Sequence, residues 1–314
     1  MPQPFADPLH DRGANCSHRA GRVSRTARER AWLMGLIAVI AGGIWIRTLP
    51  PGSLPAPDLF AWQTRATVNL YFVNGPFLFP VSERLPANDV LPRTALEALL
   101  AGPSRSGKLR SAIPRDVEIR SFSVADGVAR IDLSRALGTG DAERLALAAI
   151  TETMTGVPGV TSVAVSVQGQ NLAARASRTP LLYFPSADGL VAVPHKLANA
   201  RAALGAYLSG PPAPDLTGIP SDVRLVSYDY SPGDRLLSIG FTYTPAVRAL
   251  ALEKPERTRM LLLGLIASLT EFPEVRAVRL DFGGQSRLGL GECSDLLRSP
   301  QHRPALLNDE RLID

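Results

Sequence analysis

The sequence is poor in the residues from which catalytic and metal centres are usually built. It has two cysteines, Cys16 and Cys293, and four histidines, His10, His18, His195 and His302. None of the histidines has a cysteine or histidine partner at metal-ligand spacing, which speaks against a zinc site. No G-x-S-x-G nucleophile turn occurs, so serine-hydrolase chemistry has no foothold. Aromatic residues make up only 6% of the chain, which leaves few rings on which sugar faces could stack. No catalytic, cofactor-binding or metal-binding residue is assigned, and no cofactor is expected.

The chain also lacks a basic patch on a folded part. Its net charge of +5 is concentrated in residues 1–30. There Arg12, Arg19, Arg22, Arg25, Arg28 and Arg30 face only Asp7, Asp11 and Glu29, a net +3. A nucleic-acid binder carries its charge on a folded domain, so nucleic acid is not an expected partner.

The basic segment borders an apolar one. Ala31–Ile46 reads AWLMGLIAVIAGGIWI, uncharged between Arg30 and Arg47. As a helix it spans about 24 Å, slightly short of the roughly 30 Å hydrocarbon core. Trp32 and Trp45 suit the two interfaces, and Arg47 can snorkel. The expectation is a transmembrane anchor over 31–48 in the cytoplasmic membrane. Residues 1–30 are then a basic cytoplasmic tail, with all later residues outside. A cleaved signal peptide and a buried core helix are the competing readings. The first needs an n-region of about 30 residues, and no clear small-x-small site follows the apolar run. Residues 49–66 read as a Pro-rich linker that holds the rest off the membrane. With the anchor in place, Cys16 and Cys293 lie on opposite sides and no intramolecular disulfide is needed.

The rest of the chain is an internal repeat. Val68–Phe72 matches Pro180–Phe184, and Leu100–Pro103 matches Leu208–Pro211. Ile113–Val117 matches Ile219–Val223, and Val157–Val160 matches Phe272–Val275. The offset drifts only from 106 to 115 residues. Each copy reads β-β-α-β-β-α-β. In the first, strands at Thr67–Phe72 and Leu78–Val81 precede a helix at Arg93–Leu100, stopped by Gly102-Pro103. A hairpin turns at Ala125-Asp126-Gly127, a helix covers Asp141–Thr155, and a strand closes at Val160–Val167. The second copy has a turn at Ser231–Asp234, a helix at Pro255–Thr270 and a strand at Val275–Phe282. The fold class is α+β, with two tandem modules at 67–171 and 179–284, a connection near Leu172–Arg178, and a C-terminal tail at 285–314. Two helices per module are expected to cover one face of a largely antiparallel sheet.

Three features invite a chemical reading. Asp126, Asp132 and Glu152 offer carboxylates for glycan hydrolysis, but a turn aspartate and solvent-facing acids account for them. Gly102–Leu109 comes close to a P-loop, yet Leu109 stands where the magnesium ligand belongs, and the segment follows a helix. Gly283-Gly284-Gln285-Ser286 reads as a turn. Tyr71 and Tyr183 recur and are expected to mark packing at the first strand, or an exposed contact site.

At these landmarks the chain resembles the GerMN domain of the spore germination protein GerM family. The residues that carry the likeness are Leu70-Tyr71-Phe72, Leu99–Pro103, Ser111–Pro114, Asp126–Leu133 and Val160–Val163 in the first copy. In the second they are Leu182-Tyr183-Phe184, Leu208–Pro211, Gly218-Ile219-Pro220 and Leu269–Val275, with a departure at Gly233–Leu237. The resemblance implies ring-building-motif-like modules outside the cytoplasmic membrane, with roles in sporulation, germination or envelope assembly. It carries over no catalytic residue. Many members are lipoproteins, whereas this chain has no lipobox. The expected role is non-enzymatic, with envelope or membrane proteins as partners. The alternative is a peptidoglycan (spore cortex) remodelling enzyme or binder.

Overall fold

In the computed structural model, residues 65–283 and 290–310 are described. The anticipated tail, anchor and most of the linker fall outside them, as do Gly284, Gln285 and Ser286. Among the described residues, no helix is long and apolar enough to cross a membrane.

Strands β1 (Arg65–Asn74) and β2 (Phe77–Pro86) form an antiparallel hairpin. Their centres are apolar without alternation because both faces are covered. Leu70, Phe72 and Phe79 pack in one core cluster, and Tyr71 and Leu78 in another. The second copy repeats the pair as β7 (Leu181–Pro185) and β8 (Leu190–Pro194). The four strands join in one sheet of order β1-β2-β8-β7. At the seam, β2 and β8 share a single register pair, Leu78↔Ala192.

Each copy keeps a second sheet to itself. In the first, β3 (Ile119–Ala125), β4 (Val128–Leu133), β5 (Ser162–Val167) and β6 (Gln170–Ser177) lie in sequence order. Helix α1 (Leu91–Ala101) precedes them, and α2 (Asp141–Thr155) connects β4 to β5. The β4–β5 pair is parallel, as a strand–helix–strand crossover requires. Asp126 (φ 54°) and Gly127 (φ 73°) make the β3–β4 turn, with both central residues left-handed as a tight hairpin demands. The second copy has α3 (Ala200–Leu208), β9 (Leu225–Ser231), β10 (Leu236–Phe241), α4 (Pro245–Glu253), α5 (Pro255–Leu269) and β11 (Ala277–Phe282). Its β12 (Gln301–His302) pairs with β11, and β10 runs parallel to β11.

Two expectations are corrected. Neither copy builds one antiparallel sheet, because its opening strands, apolar on both faces, are covered only in the shared sheet. The Leu172–Arg178 connection is mostly strand, since Gln168 (φ 51°) and Gly169 turn the chain back into β6. The sequence reading also passed over α4, although Thr244-Pro245 is a start signal: Thr244 Oγ1 accepts from Val247 N at 3.3 Å.

The long helices latch onto the first strands in the same way. Tyr71 N donates to Thr153 Oγ1 (3.1 Å), and Tyr183 N donates to Ser268 Oγ (2.9 Å). These bonds satisfy N–H groups on the two edge strands of the shared sheet. Helix α5 comes so near β7 that a Cβ on Gly264 would lie 2.4 Å from the Tyr183 carbonyl oxygen. Gly264→Ala should therefore cost about 1–3 kcal/mol, more than the gain of roughly 1 kcal/mol in helix propensity. A lower denaturant midpoint at unchanged slope would show it. Cys293 is buried, is unpaired among the described residues, and donates to Pro255 O at 3.3 Å.

Candidate functional site

Where the copies meet, a cluster of charges is taken out of water. Glu152 comes from α2 and is 3% exposed. Glu271 follows the C-terminus of α5, and its side chain is fully buried. The cations come from elsewhere: Arg178 from the link between copies, and Arg303 from beyond β12. Arg178 Nη2 lies 2.8 Å from Glu271, and Arg303 Nη2 lies 2.5 Å from Glu271 Oε1. Tyr183 OH donates to Glu271 Oε1 at 2.7 Å and accepts from Arg303 Nη2 at 3.0 Å. With its only proton so committed, Tyr183 accepts from Tyr71 OH at 3.1 Å. Glu152 accepts from Thr179 N at 3.1 Å, and its other oxygen is 3.4 Å from Arg178 Nε without hydrogen-bond geometry.

Two carboxylates thus face two guanidinium groups. Burial pushes the Glu152 carboxyl up to about 7, against the pull of the Thr179 N–H and Arg178. Burial and Glu271 push the Tyr71 hydroxyl up to about 12 and raise Tyr183 as well. Burial opposes charge on Arg178 and Arg303, yet the facing acidic groups, Glu271 among them, hold both above the ordinary arginine value. A cleft of about 300 Å³ opens beside the cluster, with Tyr71, Glu152, Arg178 and Arg303 in its wall. The second oxygens of Glu152 and Glu271 are sealed from solvent. The arrangement fastens four chain segments together; it does not present two free carboxylates to a substrate.

The C-terminal residues fasten the same junction from the other side. Asn308 Oδ1 accepts from Leu190 N (2.8 Å), and its Nδ2 donates to Leu190 O (2.8 Å) and Pro80 O (2.6 Å). One side chain therefore bridges β8 and β2, where the strands themselves share one register pair. Asn308→Ala orphans three buried backbone groups, each worth about 1–3 kcal/mol. The variant should lose at least about 2 kcal/mol in equilibrium unfolding.

The three acids singled out in the sequence do not converge. Asp126 sits in the β3–β4 turn. Asp132 accepts from Gly169 N and Ser166 Oγ, both at 2.8 Å, which holds the β5–β6 turn and keeps its carboxyl below the usual range. Glu152 is not a solvent-facing helix acid; it is buried in the cluster, because its cationic neighbour lies beyond the helix. Tyr71 and Tyr183 are buried, which settles them as packing residues with a bonded hydroxyl pair. Leu109 is in the core and Gly102–Leu109 follows α1, so the segment is no P-loop. Among the described residues, no group of three or more His, Cys, Asp or Glu could hold a metal. The sequence reading missed Arg178, Glu271, Asn308 and Arg303 as junction residues.

The fold and its junction define a tandem α+β protein whose two copies are fused through a common sheet. The family described as "Germane: Sporulation and spore germination" matches residues 69–173 and 181–287. The chain belongs to this family and carries two GerMN domains in tandem. The tandem GerMN domains of the sporulation protein GerM from Bacillus subtilis share its fold, with a TM-score of 0.59 at 18% identity over 77% of this chain and 99% of that one. The first GerMN domain of the same protein is also similar, at 19% identity and a TM-score of 0.31, covering 36% and 98% of the two chains. No curated protein sequence matches the chain.

Proposed function

We propose that the chain is a membrane-anchored, extracytoplasmic scaffold that holds envelope proteins together, in a non-enzymatic role tied to sporulation or spore germination. The observation that carries this reading is strand β9. It is an edge of its sheet among the described residues, and its sequence LVSYDYS has neither lysine nor proline, with Asp229 its single charge. Leu225, Val226 and Tyr230 stand 38%, 67% and 38% exposed along it. Such an edge suits an extended segment of another protein, which would add a strand and cover those side chains. The buried charges, by contrast, are spent on one another. Anchoring rests on the uncharged run Ala31–Ile46 and the arginines before it.

Crosslinking in intact cells with the full chain, followed by mass spectrometry, tests this. A defined set of envelope proteins should be recovered, and Val226→Lys should deplete it about tenfold, since a lysine in place of the most exposed apolar side chain of the edge deters pairing. Recovery of muropeptides alone, lost on Asp132→Asn or Glu152→Gln, would instead place the chain among cell-wall enzymes or binders.

A further inference from the structure

The loop after α1 holds an anion. Arg105 N and Ser106 N donate to Glu310 Oε1 at 2.6 and 3.0 Å, and Ser104 Oγ donates to Oε2 at 3.2 Å. Successive backbone N–H groups converging on one point form an anion-binding concavity. The loop is the segment whose sequence comes close to a P-loop, although it follows a helix rather than opening one. Around it lies a cavity of about 380 Å³, lined by Arg65, Arg84 and Arg105 and by three acids, Glu83, Asp309 and Glu310. None of the three guanidinium groups forms a salt bridge to a described residue. Burial, and then the charge of Glu310, raise the Glu83 carboxyl, so the site already crowds anions against its arginines.

We propose that this cavity is a phosphate-binding site which the Glu310 carboxylate occupies in cis. A carboxylate brings one charge and two oxygens to a place that offers two N–H groups, a hydroxyl and three guanidinium groups. A phosphate group brings more charge and three acceptor oxygens, which match that set of donors better. Glu310 follows β12 and belongs to no strand, so it can leave its seat without breaking a ladder hydrogen bond. The phosphate belongs either to a small soluble ester or to a lipid headgroup, the recognised chemistry being the same.

Equilibrium dialysis with labelled inorganic phosphate tests the site on the full chain in uncharged detergent at fixed ionic strength. A tethered carboxylate competes at roughly millimolar effective concentration, so Glu310→Gln should bind one phosphate per chain at least about tenfold more tightly than the unchanged protein. Adding Arg84→Ala to that variant should remove the gain. In the unchanged chain, Arg84→Ala alone should weaken phosphate binding while leaving the unfolding midpoint in phosphate-free buffer where it was. Competition then names the source: glycerol phosphate and a short-chain phosphatidylglycerol displace the label equally if the ligand is soluble, and the lipid does so far better if it is a headgroup. Equal binding by Glu310→Gln and the unchanged chain, or binding indifferent to Arg84, overturns the proposal.

Discussion

Truncating Glu271 to alanine should lower the unfolding free energy by about 3–5 kcal/mol, read as a fall in denaturant midpoint at unchanged slope. Glu271 is the common partner of both arginines and of the Tyr183 hydroxyl. Its removal leaves two half-buried guanidinium groups facing one remaining carboxyl, Glu152, which burial already disposes toward the neutral form. The loss of a partner is what costs so much, because the desolvation of the others is no longer offset. Removing Arg93 from its surface pair with Glu97 is the control. Both side chains there are more than half exposed, and the change should stay within about 1 kcal/mol. If the two variants differ by less than the error of measurement, the cluster does not hold the copies together.

Stability should also fall as pH rises through the range in which Glu152 ionises, by about 3 kcal/mol relative to Glu152→Gln. The sign follows from proton counting. In the unfolded chain the carboxyl releases its proton near the ordinary 4.5, and in the folded chain near 7. Between these values the folded state binds more protons, so deprotonation favours unfolding. The contribution is complete below 4.5 and is lost by about 7. The charged groups acting on Glu152 are Arg178 of the link, Glu271 after α5 and Arg303 of the C-terminal segment. Denaturant midpoints of both proteins between pH 4.5 and 8 should coincide at the acid end, diverge up to about 7 and keep a constant gap above it, with Glu152→Gln the more stable. Parallel curves would mean that Glu152 ionises as an exposed acid does.

Much of each copy is legible along the chain. The bounds of α2 follow from the Gly residues before Asp141 and the Gly-Val-Pro after Thr155, and the β3–β4 hairpin follows from Asp126-Gly127. The repeat itself can be read because Tyr71 and Tyr183, and the helix ends at Gly102-Pro103 and Gly210-Pro211, answer to the same backbone needs. The junction is illegible for a physical reason. Taking the Val157/Phe272 match as the frame, Glu152 falls opposite Ala267, and Glu271 opposite Gly156. Each copy supplies one acid at a different place, so a search for shared polar positions passes over both. The cations lie outside the repeated pattern altogether, one in the link and one in the C-terminal segment.

The sequence by itself determined the common β-β-α-β-β-α-β order of the two copies, though not α4 or β6, together with the doubling of that order and the family to which the chain belongs. These depend on periodicity, turn residues and helix stops, which act over a few neighbours. Only the tertiary structure decided that the opening hairpins merge into one sheet, and that Glu152 is buried rather than wet. It also decided that Arg303 and Asn308 lock the seam between copies. Each of these turns on what covers a face or neutralises a charge, and the covering group lies as far as 228 residues away, as with Asn308 on Pro80.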